Sequence, residues 1–414
     1  MMIKLRLTIT LILLFLLLFN IVNAQDNVLT GKIIAQIDGS PLAYASIRIP
    51  GMNISTVSND DGDFELKITG NYTKDDSIVF SSIGYKSQSF SVNDALKSKT
   101  LVVKLSEAVQ QLSEVAIKPL TVKQLLDSIV DHNRAAFISP MMLNGYYREF
   151  VFTNNKCNEY SDAIVKYYHN RAPKVGGQLK IVASRCEMVY KGKDTVSADN
   201  EIYLNSRANP DKLFRYAFLD ELIKGRFVDK NLHDYTYSME AGNDGGNLKV
   251  VVYPKPGTDE LYTIAFLLSN DFTISSYKFE IREAELKNVK EKSFFNMHGR
   301  LVKLLVEARF ESNKHGTYPD YFKFNSAHHI YTNGKFLGQV IDQISEQKSE
   351  FVITGLDTLN ALPFSRSDIY KKGNICNNGM AMNTSLLKNY NFIKPTKKDS
   401  LAISSIQQEQ PAAK

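Results

Sequence analysis

Asn59-Asp60-Asp61-Gly62-Asp63-Phe64-Glu65-Leu66-Lys67-Ile68 opens on a cluster of turn formers and continues with apolar residues at every second place. Gly62 supplies the positive φ that a tight turn needs, and the alternation of Phe64, Leu66 and Ile68 is the period of a strand with one buried face. The same pattern extends outward on both sides. Strands are read at 29–35, 43–49, 54–57, 77–82, 87–92 and 101–105, with further turn signals at Asp38-Gly39 and Ile83-Gly84-Tyr85. Short strands spaced roughly ten residues apart predict an antiparallel β-sandwich.

Gly31, Pro41-Leu42-Ala43-Tyr44-Ala45-Ser46-Ile47, Gly51, Thr56, Asp60-Asp61-Gly62-Asp63-Phe64-Glu65-Leu66, Ser81-Ser82-Ile83-Gly84-Tyr85 and the exit Leu112-Ser113-Glu114-Val115-Ala116-Ile117 together carry a family pattern. In order and spacing, residues 26–117 resemble the carboxypeptidase regulatory-like domain. The resemblance implies a transthyretin-like, seven-stranded sandwich, a module common at the front of exported Bacteroidetes proteins, including TonB-dependent outer-membrane receptors. It implies no peptidase activity, because the module has no catalytic residues of its own.

Ahead of this region, residues 1–24 have a basic start with Lys4 and Arg6, an apolar run from Leu7 to Phe19 and the small residue Ala24. This is the three-part pattern of a secretory signal peptide, with cleavage expected after Ala24. The run is too short for a bilayer span, and no later segment is apolar enough to be one. The expected location is therefore the periplasm or the outer-membrane envelope, with no transmembrane span in the mature chain.

Beyond Pro119, Thr121 is placed to cap a linker helix over 121–137, because Val122, Leu125, Leu126, Ile129 and Val130 recur at helical spacing. Strand signals then resume at 146–153, 160–168, 179–190, 235–240, 248–253, 261–268, 274–286, 301–310, 321–331 and 336–344. A helical insertion is read at 210–224, and Asn333-Gly334 favours a type I′ hairpin turn. Residues 140–393 are thus expected to form a second β-rich domain, a large curved antiparallel sheet with one or two helices. The polar, Gln- and Lys-rich residues 395–414 read as a disordered tail. The fold class is mainly β. Taken whole, the chain resembles exported Bacteroidetes proteins that carry the regulatory-like domain before such a region.

The 414 residues are 43% hydrophobic and 23% charged, which suits globular domains and, at this length, two cores. A net charge of +6 without a basic stripe on any element argues against nucleic acid as a partner. Cys157, Cys186 and Cys376 are too few for a disulfide framework. A Cys157–Cys186 bridge in an oxidising compartment and buried free thiols are the two readings left open.

Chemistry is hard to find. Neither HExxH nor HxxE surrounds His132, His169, His233, His298, His315, His328 or His329, and no GxSxG, Walker A loop or GxGxxG occurs. His328 and His329 are adjacent on a strand and point to opposite faces. The alternation of Asn59, Asp61 and Asp63 suggests a calcium loop, but its twelfth place is Gly70 where a bidentate Glu is needed. Arg148 and Glu149, neighbours in Tyr146-Tyr147-Arg148-Glu149-Phe150, also face opposite ways, so a catalytic pair is not expected, and a sheet-face ion pair made by one of them is the lesser reading. No catalytic, cofactor-binding or metal residue is assigned and no cofactor is expected. The expected function is a non-enzymatic exported or envelope-associated binding module whose partner is an outer-membrane or periplasmic protein, a glycan or a lipid. The alternatives are a hydrolase assembled from distant strands of the second domain and a structural component of an outer-membrane assembly.

Overall fold

The computed structural model describes residues 27–108, 120–171, 177–189, 210–241, 247–335, 340–371 and 375–409, apart from 51, 53, 74, 99, 270 and 389. The leader and the exit at 112–117 lie outside these residues.

The alternating segments of the first hundred residues pair into two small sheets. Strands β1 (Asn27–Ala35), β4 (Asp63–Ile68) and β7 (Leu101–Leu105) form one, in the order β4-β1-β7. Strands β2 (Ser46–Ile49), β3 (Ile54–Val57), β5 (Ser77–Ser81) and β6 (Gln88–Ser91) form the other, in the order β3-β2-β5-β6. Leu29, Ile33, Phe64, Leu66, Ile47, Ile78, Phe80 and Val103 close the core between them. Contrary to the antiparallel expectation, β1 and β7 run parallel, with Gly31 opposite Leu101. Gly31 is required there: a Cβ would lie 2.1 Å from the Leu101 carbonyl oxygen and 2.6 Å from the Phe64 ring. A short helix, α1 (Val92–Leu96), follows β6, capped by the Ser91 hydroxyl, which accepts from the Asp94 amide.

Helix α2 (Val122–Ala136) starts at a reciprocal cap. Thr121 Oγ1 accepts from the Gln124 amide at 3.2 Å, and Gln124 Oε1 accepts from the Thr121 amide at 3.0 Å. Its apolar stripe does not merely link. Leu125, Leu126, Ile129 and Val130 are buried in the main core, against one face of a twelve-stranded sheet.

That sheet is built from β8 (Met141–Thr153), β9 (Lys156–His169), β10 (Gly177–Met188), β11 (Tyr235–Ala241), β12 (Asn247–Pro254), β13 (Tyr262–Ser269), β14 (Ile274–Ile281), β15 (Lys292–Phe294), β16 (Met297–Asn313), β17 (Gly316–Thr332), β18 (Asp342–Asp357) and β19 (Met380–Ala381). Its order is β11-β12-β13-β14-β16-β17-β18-β8-β9-β10-β19, with β15 paired to β16. The insertion read as one helix is two, α3 (Pro210–Arg215) and α4 (Leu219–Arg226), interrupted at Phe218 in extended backbone. The break seats the Phe218 ring on the His169 imidazole, with centroids 3.9 Å apart and planes at 4°. Together α2, α3 and α4 pack on the apolar face of the sheet.

The opposite face is also covered, by the small sandwich and by the C-terminal chain. Ser55 Oγ donates to the Ile353 carbonyl at 2.9 Å, while Val57, Tyr321, Val352 and Ile393 form a small apolar cluster between sandwich and sheet. The Asn391 side chain accepts from the Lys67 amide at 2.7 Å and donates to the Lys67 carbonyl at 3.1 Å, as a neighbouring strand would. After a short helix, α5 (Thr384–Lys388), the chain ends in α6 (Lys397–Glu409). The tail read as disordered is therefore helical over most of its length. Its composition is polar, but Ile406 is fully buried against Phe150, Cys157 and Tyr160, and Thr396 and Asp399 cap its start reciprocally.

Three further readings are corrected. The β17–β18 connection is not a two-residue hairpin: Gly334 has positive φ but Asn333 does not, and Thr332 pairs with Ile341 across a longer loop. Of the strand read at 336–344, residues 336–339 lie outside the described residues, and β18 begins at Asp342 and runs to Asp357. Cys186 bonds to Cys376 across 190 residues, and Cys157 is a buried free thiol. Cys157 and Cys186 are separated because β9 carries Cys157 at its far end, two positions from Glu159, while Cys186 lies opposite Ser161.

A charged cleft at a three-way junction

The residues facing the sandwich form one row of alternating charge across seven strands. In register, Lys278 of β14 lies opposite Glu307 of β16, then follow Lys323 of β17, Glu350 of β18, Arg148 of β8, Asp162 of β9 and Arg185 of β10. Its centre is buried. Arg148 Nε donates to Glu350 Oε2 at 2.5 Å, Tyr321 donates to Glu350 Oε1 at 2.9 Å, and Arg148 Nη1 is 3.5 Å from Asp399 of α6. Burial works against the Arg148 charge, but Glu350 and Asp399 more than offset it and hold the guanidinium protonated. Burial likewise opposes the Glu350 charge, and Arg148 and Lys323 reverse it, so that its carboxyl sits below its ordinary value. Asp162, fully buried, accepts from Tyr146, Tyr160 and Arg185. Glu149 is on the other face with Tyr147, Gln347 and Ser349. Arg148 thus makes a sheet-face ion pair, the lesser reading of this run from the sequence.

Beside the centre of this row the sandwich, the sheet and α6 leave a cleft of about 620 Å³. Tyr44, Asp60 and Asp61 form the sandwich wall, residues 396–405 the opposite wall, and Phe150, Phe152, Lys323, Asn325 and Lys348 the floor. Tyr44 takes a positive φ of 56°, stacks on Tyr321 at 4.8 Å and donates to Asp60, and Lys323 Nζ lies 3.0 Å from its hydroxyl. Burial and the nearby carboxylates of Glu350 and Asp60 keep the Tyr44 hydroxyl protonated. Lys348 lies over the Phe152 ring at 4.7 Å. Exposed Lys397 and Lys398 stand at the mouth. With Arg148 matched by Glu350 and Asp399, the lysines outnumber the remaining carboxylates Asp60 and Asp61.

Asn325 is 5% exposed and lines this floor, yet its Oδ1 has no hydrogen-bond partner among the described residues. A buried acceptor left unmatched costs about 1–3 kcal/mol, so this atom stands out in an otherwise satisfied polar surface. Sequence reasoning missed Asn325, Lys323 and Lys348. The available signal was the alternation Tyr321, Lys323, Asn325, which puts polar residues where a half-buried strand would carry apolar ones.

The histidines do not converge. His298 Nδ1 meets both Ser293 Oγ and Glu291 Oε1 at 2.9 Å, while Nε2 accepts from the Asn333 amide at 2.9 Å. Hydroxyl and carboxylate share one ring nitrogen, so the imidazole cannot take a proton from Ser293 while Glu291 orients it from the other side. His329 pairs with Asp342 at 2.7 Å. In the acidic turn, Asn59 Oδ1 is occupied by the amides of Asp61 and Asp63. Cys157 is buried, and burial pushes its thiol up to about 11, which disfavours the thiolate.

Residues 29–117 match the CarboxypepD_reg-like domain family. No curated protein matches the chain. Among solved structures, a DUF1329 family protein from Desulfovibrio piger ATCC 29098 is 10% identical over 61% of this chain and 100% of its own, with a TM-score of 0.24. Lipovitellin, in a structure of its lipid–protein interactions, is 10% identical over 63% of this chain and 29% of its own, at 0.25. An outer membrane lipoprotein-sorting protein domain from Vibrio parahaemolyticus is 8% identical over 59% and 94%, at 0.23. Likeness at these scores carries no argument about this chain. Among the described residues no helix is long and apolar enough to cross a membrane.

Proposed function

We propose that the chain is a non-enzymatic, exported binding module, with a regulatory-like sandwich over 26–117 and a β-rich region over 140–393, and that its ligand site is the junction cleft. The ligand is a hydroxylated anion, such as the acidic end of a glycan. The observation that carries this reading is the unmatched Oδ1 of Asn325 beneath Lys323 and Lys348: a hydroxyl supplies the missing donor, and an acidic group meets the ammonium groups. A lipid is the less favoured partner in this reading, since α2, α3 and α4 pack on the apolar face of the sheet. The hydrolase alternative is the less favoured one: the cleft hydroxyl with a carboxylate in reach is that of Tyr44, which donates to Asp60 and is held protonated by burial.

Calorimetric titration with an oligogalacturonide and with a neutral oligosaccharide of equal length tests the proposal. The acidic ligand should bind, with Asn325→Leu and Lys348→Met each weakening it by about tenfold or more. Equal binding of the neutral sugar, or an acidic ligand indifferent to both substitutions, rejects it.

A further inference from the structure

The floor of the junction cleft is held by residues that do not line it. Lys303 of β16, Ala327 of β17 and Glu346 of β18 lie side by side in register, two residues along the strands from Asn325 and its neighbour Lys348. The Ala327 methyl is too short to part its neighbours, so Lys303 reaches across to Glu346 Oε1 at 3.1 Å. The second carboxylate oxygen, Oε2, is 3.6 Å from Lys348 Nζ, and the Asn325 side-chain amide hydrogen-bonds to the same carboxylate. The Glu346 side chain is 16% exposed. Burial opposes its charge, but Lys303, Lys348 and the Asn325 amide outweigh it, and the carboxyl sits below its ordinary value.

An ionised carboxylate can only accept hydrogen bonds, whereas a side-chain amide has one end that donates and one that accepts. The end of Asn325 that meets Glu346 is therefore its nitrogen. The carbonyl oxygen is left for the cleft, which accounts for the unmatched Oδ1 in an otherwise satisfied floor. Turning the amide over would set two acceptors against each other in a water-poor layer and aim a donor at the ligand instead.

We propose that Glu346 is the positioning residue of the junction cleft, holding Asn325 as a hydrogen-bond acceptor so that the site demands a hydroxyl donor on its anionic ligand. The inference rests on the reading of the cleft as the ligand site and adds what sets its selectivity. Lys303, the nearer cation, answers the Glu346 charge, so Lys348 keeps its ammonium for the acid. A site built around such an acceptor rejects an analogue with no proton to give, because the oxygen then stays buried and unpaired.

The test compares two ligands on the full-length protein by calorimetric titration. One is an oligogalacturonide; the other is the same oligomer with its hydroxyls converted to methyl ethers and its carboxylates left free. Wild type should favour the hydroxylated form by about tenfold or more. In Glu346→Gln the neighbouring amide accommodates either end of Asn325, so the preference should shrink to about threefold or less. Lys303→Met keeps the carboxylate and removes its nearer cation, and should retain the wild-type preference. A merely structural loss weakens both ligands alike, so an unchanged preference in Glu346→Gln overturns the proposal, as does a collapsed one in Lys303→Met. A readout without ligand separates this inference from the reading beneath it. The Asn325 side-chain amide resonances should exchange with solvent about tenfold faster in Glu346→Gln than in wild type. Should neither ligand bind wild type, the cleft falls as a ligand site; equal exchange in the two proteins shows instead that Glu346 does not hold Asn325, and overturns the proposal alone.

Discussion

Arg148 and Glu350 lie directly opposite one another on β8 and β18, their side chains joined at 2.5 Å and almost wholly removed from water. They join the first long strand of the large sheet to its last. Arg148→Met should destabilise the protein by about 3–5 kcal/mol in urea unfolding, because it leaves Glu350 buried without its main cation. The double variant Arg148→Met/Glu350→Leu should recover much of that loss. A double variant as unstable as the single would show that the pair is not the source.

The Cys186–Cys376 bond ties residues 375–409 to β10, and residue 391 in turn holds the sandwich. Reduction should lower the unfolding free energy by about 2–4 kcal/mol. Cys376→Ser should reproduce the effect and be indifferent to reductant. In the native protein Cys157 should resist a thiol reagent until the chain unfolds, which a timed labelling assay reads directly.

Glu311 sits where β16 meets the sandwich, 3.0 Å from Arg48. Burial and the neighbouring Asp320 nonetheless raise its carboxyl from 4.5 to about 7. A raised carboxyl contributes stability below pH 4.5 that is lost as pH rises through 7. His169 works in the opposite sense: burial against Phe218 lowers it from 6.5 to about 4, so its contribution is present above pH 6.5 and fades as pH falls through 4. The two slopes oppose one another between pH 4.5 and 6.5. Glu311→Gln should therefore unmask stability that rises with pH over this window, as measured by thermal unfolding in a buffer series.

Gly31→Ala should cost several kcal/mol or prevent folding, because the added methyl overlaps the Leu101 carbonyl of β7 and the Phe64 ring. Gly39→Ala is a useful contrast: its site is open, so the penalty should be confined to the positive φ of 71°. Equal effects in the two variants would mean that the β1–β7 contact is looser than described.

Much of this architecture is legible in the sequence where one face is wet. Phe64, Leu66 and Ile68 alternate, and Val122 to Val130 follow the helical period, because each element has a single core to face. Legibility ends where both faces are covered. In Tyr146-Tyr147-Arg148-Glu149-Phe150 every side chain is buried, so alternation vanishes and the strand's start at Met141 is hidden. Ile406 decides the fate of the C-terminal residues through contacts with Phe150 and Tyr160, which lie far away in sequence. Cys376 is equally opaque, its partner being fixed only by the packing of the last segment on β10. Asn325 is readable only as a polar residue on a strand, since its unmatched oxygen is a property of neighbours on three separate elements.

The alternating charges also make the sheet intolerant of misalignment. Suppose β18 slid by two residues so that Lys348 took the place of Glu350. Lys348 would then face Arg148 on one side and Lys323 on the other, giving two like-charge contacts in a water-poor layer. Sliding the other way would bring Val352 there and leave Arg148 buried opposite a hydrocarbon. A slip by one residue would exchange the two faces altogether. Each long strand thus carries, in one residue, a proofreading mark against the neighbouring offsets, and a sheet whose first and last long strands are joined across |i−j| of 202 has a single alignment in which all the marks agree.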